Sequence, residues 1–225
     1  MEKFTTGKFI VIEGTDGSGK TTQTEALLHR LKKEGIESES VRFPQYEKNL
    51  FGNLIRECLD SKHGDFISLD PKIASVLYAC DRFETISKIK KWLDDGKVVI
   101  ADRYVSSNQI HQGGKIKDER ERAKFLDWLG AMEYDTLGVL KPDIVLYLDV
   151  PFEISQQLIL NRVGVKDLAD SNFEYLKNSK EAGEYMLARE KFWTRISCAP
   201  EDKLLSIDEI SEIVWKKVSE VLKLK

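Results

Sequence analysis

Cysteine is scarce in this 225-residue chain: Cys58, Cys80 and Cys198 are widely spaced and never form a CxxC pair. An odd, dispersed set builds neither a disulfide framework nor a zinc site, and it suits a reducing compartment. Cys80 falls in an apolar-periodic stretch, where a buried small hydrophobe is expected rather than a nucleophile. Long apolar runs are missing as well. None approaches the roughly 18 residues of a membrane-spanning helix, and the first six residues lack the apolar core of a leader peptide. A cytoplasmic protein with no membrane partner is expected. Positive charge is not in excess: 35 Lys+Arg against 38 Asp+Glu give a formal charge of −3. The broad basic face that displaces counterions from nucleic acid is therefore not expected, although a local basic pocket for phosphates is not excluded. Proline numbers only 5, and there is no repeat, low-complexity tract or Pro/Gly/Ser-rich linker. A single domain over residues 1–225 is the natural division at this length. Hydrophobic residues at 41 % and charged residues at 32 % exclude a disordered chain.

What is present is alternation. Short apolar runs occur at Phe9–Ile12, Val98–Ala101, Ile144–Leu148 and Leu204–Ile207, with a weaker one near Ser40–Phe43. Such runs read as strands buried on both faces. Amphipathic segments lie between them. Thr21–Glu34 puts Leu27, Leu28 and Leu31 on one helical face, and Pro71–Asp95 carries Ile73, Val76, Leu77, Cys80, Ile86, Ile89 and Leu93. The last helix opens on Ser206-Ile207-Asp208-Glu209, a capping box, and spaces Ile210, Val214, Val218 and Val221 by four, four and three. Strand–helix alternation predicts an α/β fold of three layers, a central parallel sheet of about five strands flanked by helices. Ligands of such sheets bind at the carboxyl ends of the strands.

The chemistry sits there. Gly14-Thr15-Asp16-Gly17-Ser18-Gly19-Lys20-Thr21 matches GxxxxGK[ST], follows the apolar run Phe9–Ile12 and precedes a helix. Its glycines let successive N–H groups curl inward at phosphate oxygens, and the helix N-terminus adds partial positive charge. Lys20 is expected on the β- and γ-phosphates and the Thr21 hydroxyl on Mg²⁺. This is a P-loop for a nucleoside triphosphate. Its alternative is a Gly-rich strand-to-helix turn without a ligand. No NKxD base-reading motif occurs, and Asp135-Thr136-Leu137-Gly138 follows no strand, so a transferase is favoured over a GTPase switch.

Asp102-Arg103-Tyr104 ends the Val98–Ala101 run. Asp102 there suits a Mg²⁺–water contact and Arg103 an anionic phosphate, or the two form a structural pair. Tyr78 and Arg82, four apart, share a helix face that offers a ring and a guanidinium to a base or its phosphate, or else to packing. Phe43 and Tyr46 place two aromatics where a loop opens.

The constellation resembles the thymidylate kinase family, P-loop kinases that pass the ATP γ-phosphoryl group to dTMP. The likeness runs from Gly7 to about Asp208. It rests on Ile12 to Gln23, Phe43-Pro44, Leu77-Tyr78-Ala79-Cys80-Asp81-Arg82, Asp102-Arg103-Tyr104 with Ser107, and Lys141-Pro142-Asp143. It implies ATP on Gly14, Thr15, Asp16, Gly17, Ser18, Gly19, Lys20, Thr21 and Thr22, with Mg²⁺ at Thr21 and Asp102. For the acceptor it implies Asp16 on the sugar 3′-hydroxyl, Phe43 against thymine, Tyr78 stacked on it, Arg82 on the base edge, Arg103 on the phosphate and Asn108 on the base. Tyr46, His111 and Phe173 complete that set. Residues 161–173 would form a short helical lid, Ser206–Asp208 would border the adenine, and packed helices would join a homodimer. Lys20, Asp16, Arg103 and a lid arginine would carry the catalysis.

The chain departs from that pattern in three places. The P-loop holds no arginine, so the lid must supply the transition-state cation. The lid segment Asn161-Arg162-Val163-Gly164-Val165-Lys166 is sparse, which points to Arg162 with Lys166 assisting. A missing arginine finger costs on the order of 10³–10⁵ in rate. Gln45 stands where many members carry an arginine, which removes a phosphate contact. His111 stands where an aromatic often crowds the sugar 2′ position. Two other functions stay open. A deoxynucleoside kinase would use Glu13 as base toward a neutral hydroxyl, and a regulatory P-loop module would hydrolyse nucleotide in response to a protein.

Overall fold

The computed structural model describes residues 7–161 and 172–224. Strands β1 (Lys8–Glu13), β2 (Ser38–Arg42), β3 (Val98–Asp102), β4 (Ile144–Asp149) and β5 (Trp193–Ser197) form one parallel sheet in the order β2-β3-β1-β4-β5. Eight α-helices are described: α1 (Lys20–Lys33), α2 (Leu50–Leu59), α3 (Pro71–Asp94), α4 (Val105–His111), α5 (Glu119–Gly130), α6 (Phe152–Asn161), α7 (Phe173–Arg189) and α8 (Ile207–Leu222). A π-helical turn over Ala131–Thr136 extends α5.

Two apolar layers sandwich the sheet, and β1 feeds both. Phe9 and Val11 point into one layer with Val99, Ala101, Val145 and Tyr147, closed by Ile89 of α3 and Phe125 and Leu129 of α5. Ile10 and Ile12 point into the other with Ile100, Leu146 and Leu148, closed by Leu27 and Leu31 of α1 and Val214 and Val218 of α8. Each of the Val, Leu, Ile and Phe side chains contributes about 1.5–3 kcal/mol by leaving water. That is why β1, β3 and β4 read as unbroken apolar runs. Ile12 lies level with Asp102 and Leu146, so the strands end at one rim. The loops after β1 and β3 open there together.

Two expectations fail in the fold. Leu204–Ile207 is not a strand: it leads into α8, with Ser206 as N-cap in a complete capping box. The fifth strand is Trp193–Ser197, at the sheet edge, where only Trp193 and Ile196 are buried and no apolar run is required. The periodic set on α3 also divides. Ile89 enters the core, but Ile73 and Val76 are exposed and Cys80 is half-buried rather than buried. The core-facing side of α3 is built from Ala74, Ser75, Ala79, Asp81, Arg82, Thr85 and Ile89. Polar residues at core positions hide that side from a hydrophobicity pattern. Among the described residues no helix is long and apolar enough to cross a membrane.

Candidate active site

The turn between β1 and α1 requires glycine. Gly17 has φ 80°, and a Cβ there would meet the Ser155 carbonyl oxygen at 2.6 Å. Gly19 caps α1 at φ 86°, no side chain among the described residues caps the helix N–H groups, and the first turn of α1 holds no acidic residue. These orphan donors face outward with the positive end of the helix dipole. Lys20 is buried beneath, its Nζ donating to the carbonyl oxygens of Gly14 (2.8 Å) and Thr15 (2.9 Å). Burial, reinforced by Arg103, pulls its pKa down to about 8, against the pull of Asp16, Glu13 and Asp102.

Thr21 Oγ1 donates to Asp102 Oδ2 at 2.8 Å. The other oxygen of that carboxylate, Oδ1, is buried and has no partner among the described residues. A hydroxyl and a carboxylate with a spare lone pair make an oxygen-only donor set, which suits a hard divalent cation. Arg42 Nε lies 3.5 Å from the same Asp102 Oδ2. A cleft of about 1120 Å³ runs over the loop, with Asp16 to Gln23 on one wall and Leu158, Leu204, Leu205 and Ile207 on the other. Thr22 lines it. Thr15 is buried below, and Gly14 is bound back to Glu13 through its N–H (3.0 Å).

A second cleft, of about 570 Å³, opens beside the first. Asp16, Phe43, Tyr46, Tyr78, Arg82, Arg103, Asn108 and His111 all line it, although they come from four separate stretches of the chain. Phe173 does not. It stands 48 % exposed at the start of α7, and the aromatic of that helix which reaches the cleft is Tyr175. Gln112 also lines the cleft, with a buried Oε1 that has no partner among the described residues.

Arg103 sits in the left-handed region at φ 69°, where a non-glycine residue is strained. Its N–H donates to Ile12 O (3.1 Å), which ties β3 to β1 at the mouth of the P-loop. Its guanidinium pairs with Asp16 and donates to His111 Nε2 at 3.1 Å. Arginine only donates, so the proton of the neutral His111 ring is on Nδ1, where it donates to Ser179 Oγ (3.0 Å). Ser179 in turn donates to Tyr175 O (2.8 Å), and the Tyr175 ring stacks on His111 at 5.5 Å and 12°. Burial, helped by Arg103 and Lys20, pushes the His111 pKa down to about 3, with Asp16 opposing. Burial alone would raise Asp16, but Arg103, Lys20 and His111 hold its carboxyl far below the usual carboxylate range.

Two buried carboxylates brace this site: Glu13, which the sequence offers only as a base toward a neutral hydroxyl, and Glu133, which no sequence signal marks. Glu13 accepts from the hydroxyls of Ser106 (2.6 Å) and Ser107 (2.7 Å), so it fastens α4 to the P-loop. Glu133 is fully buried in the π-helical turn and holds Arg82 by two bonds of 2.6 Å, Nε to Oε2 and Nη2 to Oε1. Arg82 is therefore in the cleft wall, but three of its donors are engaged, the third by Tyr104 O (3.2 Å). No local pattern marks Glu133, because its partner is 51 residues away.

The two clefts share Asp16 and Arg103. A phosphate chain lying on the P-loop and an anion held in the second cleft would meet across that pair. The lid expected over 161–173, with Arg162 and Lys166, falls outside the described residues except at its ends.

Residues 12–203 match the family model for thymidylate kinase. The chain is 34 % identical to a probable thymidylate kinase of Thermococcus kodakarensis over 215 residues, 93 % of this chain and 94 % of that protein. It is 30 % identical to a thymidylate kinase of Plasmodium falciparum over 217 residues, 96 % of this chain and 91 % of that protein. Its fold matches a solved thymidylate kinase of Candida albicans with a TM-score of 0.76 and 22 % identity, covering 97 % of this chain and 93 % of the other.

Proposed function

We infer the work of the individual residues from one premise: the chain belongs to the thymidylate kinase family. It is a nucleoside monophosphate kinase that converts dTMP to dTDP with ATP as the phosphoryl donor. The triphosphate lies along Gly14 to Thr22 in the larger cleft, on the uncapped N-terminus of α1 and on Lys20. In the smaller cleft dTMP puts its base between Phe43 and Tyr78, near Arg82 and Asn108, and its phosphate on Arg103. The observation that carries this reading is the junction, since Asp16 and Arg103 belong to both clefts. A phosphate oxygen of dTMP bonds to the γ-phosphorus as the bond to the ADP oxygen breaks. That oxygen is already anionic, so positioning and charge neutralisation suffice and no strong base is needed. Glu13 is tied up by Ser106, Ser107 and the Gly14 N–H, which argues against its use as a base toward a neutral hydroxyl.

Thr21 and Asp102 would hold Mg²⁺, an assignment supported by their oxygen-only chemistry and the unpartnered Asp102 Oδ1. When bound, the ion neutralises charge on the β- and γ-oxygens. The protein is proposed to be a homodimer joined through α3. Ile73, Val76, Cys80 and Phe83 recur at i, i+3, i+7 and i+10, and Ile73, Val76 and Phe83 are 55 %, 40 % and 51 % exposed. That spacing is a packing seam left uncovered among the described residues. Free thiols at Cys58, Cys80 and Cys198 suit the cytoplasm.

Phosphoryl transfer from ATP·Mg²⁺ is tested across dTMP, dUMP, UMP, CMP, AMP, GMP and thymidine, reading product directly. Conversion of dTMP well ahead of the rest is expected. Conversion of thymidine but not dTMP would withdraw the phosphate-binding role from Arg103.

A further inference from the structure

Glu133 touches neither cleft, yet it bonds two residues of the acceptor wall at once. Besides Arg82 it accepts from Asn108 Nδ2 (3.0 Å), which also donates to Ser75 O (3.1 Å). Neither a carboxylate paired with a guanidinium nor a backbone carbonyl can donate. The Asn108 atom turned toward them must therefore be the amide nitrogen, and both of its N–H groups are consumed there. The amide oxygen is left as the polar atom that Asn108 offers the cleft. Arg82 is fixed by the same carboxylate. Of its five N–H groups three are engaged among the described residues, by Glu133 twice and by Tyr104 O, which leaves one on each terminal nitrogen. The wall thus presents an acceptor beside donors.

We infer that Glu133 sets this polarity, and that it is the positioning residue by which the acceptor cleft selects 4-oxo pyrimidines, with an N3–H donor beside an O4 acceptor, over the 4-amino pyrimidine. This deepens the proposed function and rests on its placement of the base at Arg82 and Asn108. Thymine and uracil match the wall. Cytosine inverts both positions, with an N3 acceptor against the Asn108 oxygen and an amino donor against Arg82. Buried groups left unpaired in that way make hydrogen-bond readout selective. The π-helical turn brings Glu133 into place: the Leu137 N–H reaches back five residues to Met132 O (3.0 Å), and the carboxylate is carried to zero exposure.

The test compares kcat/KM for dTMP, dUMP and dCMP in the wild type and in Glu133→Gln, with binding of N3-methyl-dTMP to the wild type measured beside it. A glutamine amide cannot accept from Arg82 Nε, Arg82 Nη2 and Asn108 Nδ2 together, so the Asn108 amide becomes free to turn. The dTMP:dCMP ratio should fall by about tenfold or more. The dTMP:dUMP ratio and the KM for ATP should stay within about twofold, because neither reads the inverted edge. Glu133→Asp retains the carboxylate and should recover part of the lost discrimination. It also serves if the glutamine variant does not fold. Proportional losses on all three acceptors, with the ratios unchanged, would overturn the inference and leave Glu133 a structural residue. If the wild type binds N3-methyl-dTMP as well as dTMP, the placement of Asn108 on the base falls instead, and the inference falls with it.

Discussion

His111 shows how a residue type can mislead until its neighbours are known. A histidine beside a phosphate site suggests a cation or a general acid, but this one is buried among Arg103, Ser179 and Tyr175 and kept neutral. Burial pushes its pKa down to about 3, against about 6.5 in an unfolded chain. Between those values the unfolded state binds the proton and the folded state does not, so folding stability falls as pH drops through that window. Thermal unfolding followed from pH 7 to pH 4 should therefore show a steeper acid loss in the wild type than in His111→Phe, and equal slopes would refute the buried neutral ring. Arg103 carries the opposite lesson. It has backbone strain, an ion pair with Asp16 and a place in both clefts. Arg103→Ala should lower kcat/KM for dTMP by on the order of 10²–10³, the cost of removing one partner of a half-buried charge pair at the junction of the clefts. Initial-rate kinetics should place more of that loss in the KM for dTMP than in the KM for ATP.

Elements were legible where one physical effect dominated. β1, β3 and β4 are covered on both faces, so their sequences are apolar at every position that packs. β5 is an edge strand with Trp193 and Ile196 as its buried pair, and Leu204–Ile207 imitates a strand although it leads into a helix. Caps could be read locally, because the N-cap and N3 positions adjoin in sequence. The N-cap of α5 provides a clean measurement. Asp118 accepts from the N–H groups of Arg120 and Glu121, both at 2.9 Å, on the surface. Asp118→Ala should cost about 1 kcal/mol and lower Tm by roughly 2–4 °C, with kcat unchanged. A calorimetric scan with no shift would show that solvent satisfies those donors equally well. The π-helical turn after α5 was not legible. It is defined by a hydrogen bond displaced by one residue, and nothing in Met132-Glu133-Tyr134-Asp135 announces the displacement.

At the scale of the molecule, two clefts meet at the carboxyl ends of the central strands β1 and β3. The register of β1 against β3 puts the P-loop and Arg103 side by side. The α3 helix serves three surfaces at once: Arg82 and Tyr78 toward the second cleft, Ile89 toward the core, and Ile73, Val76 and Phe83 outward. If the outward seam joins two copies, Phe83→Glu should convert a dimer into a monomer by sedimentation velocity. A wild-type chain that sediments as a monomer at micromolar concentration would remove the seam from consideration.

The amino-acid sequence determined by itself whatever depends on neighbours in the chain. Gly17, Gly19, Lys20 and Thr21 specify the phosphate cradle, because backbone conformation and helix start are local matters, and the apolar runs specify a sheet buried on both sides. Phe43, Tyr78, Arg82, Arg103 and Asn108, which line the second cleft, could be named from the resemblance to a family, but not what each one touches. Tertiary structure decided that Phe173 stays outside the cleft and Tyr175 lines it, that Asp102 meets Thr21, and that Arg82 and Asn108 answer to Glu133. The reason is physical: a buried charge must find its partner in space, and the chain separations of 81, 51 and 25 residues in those pairs leave no trace in local sequence.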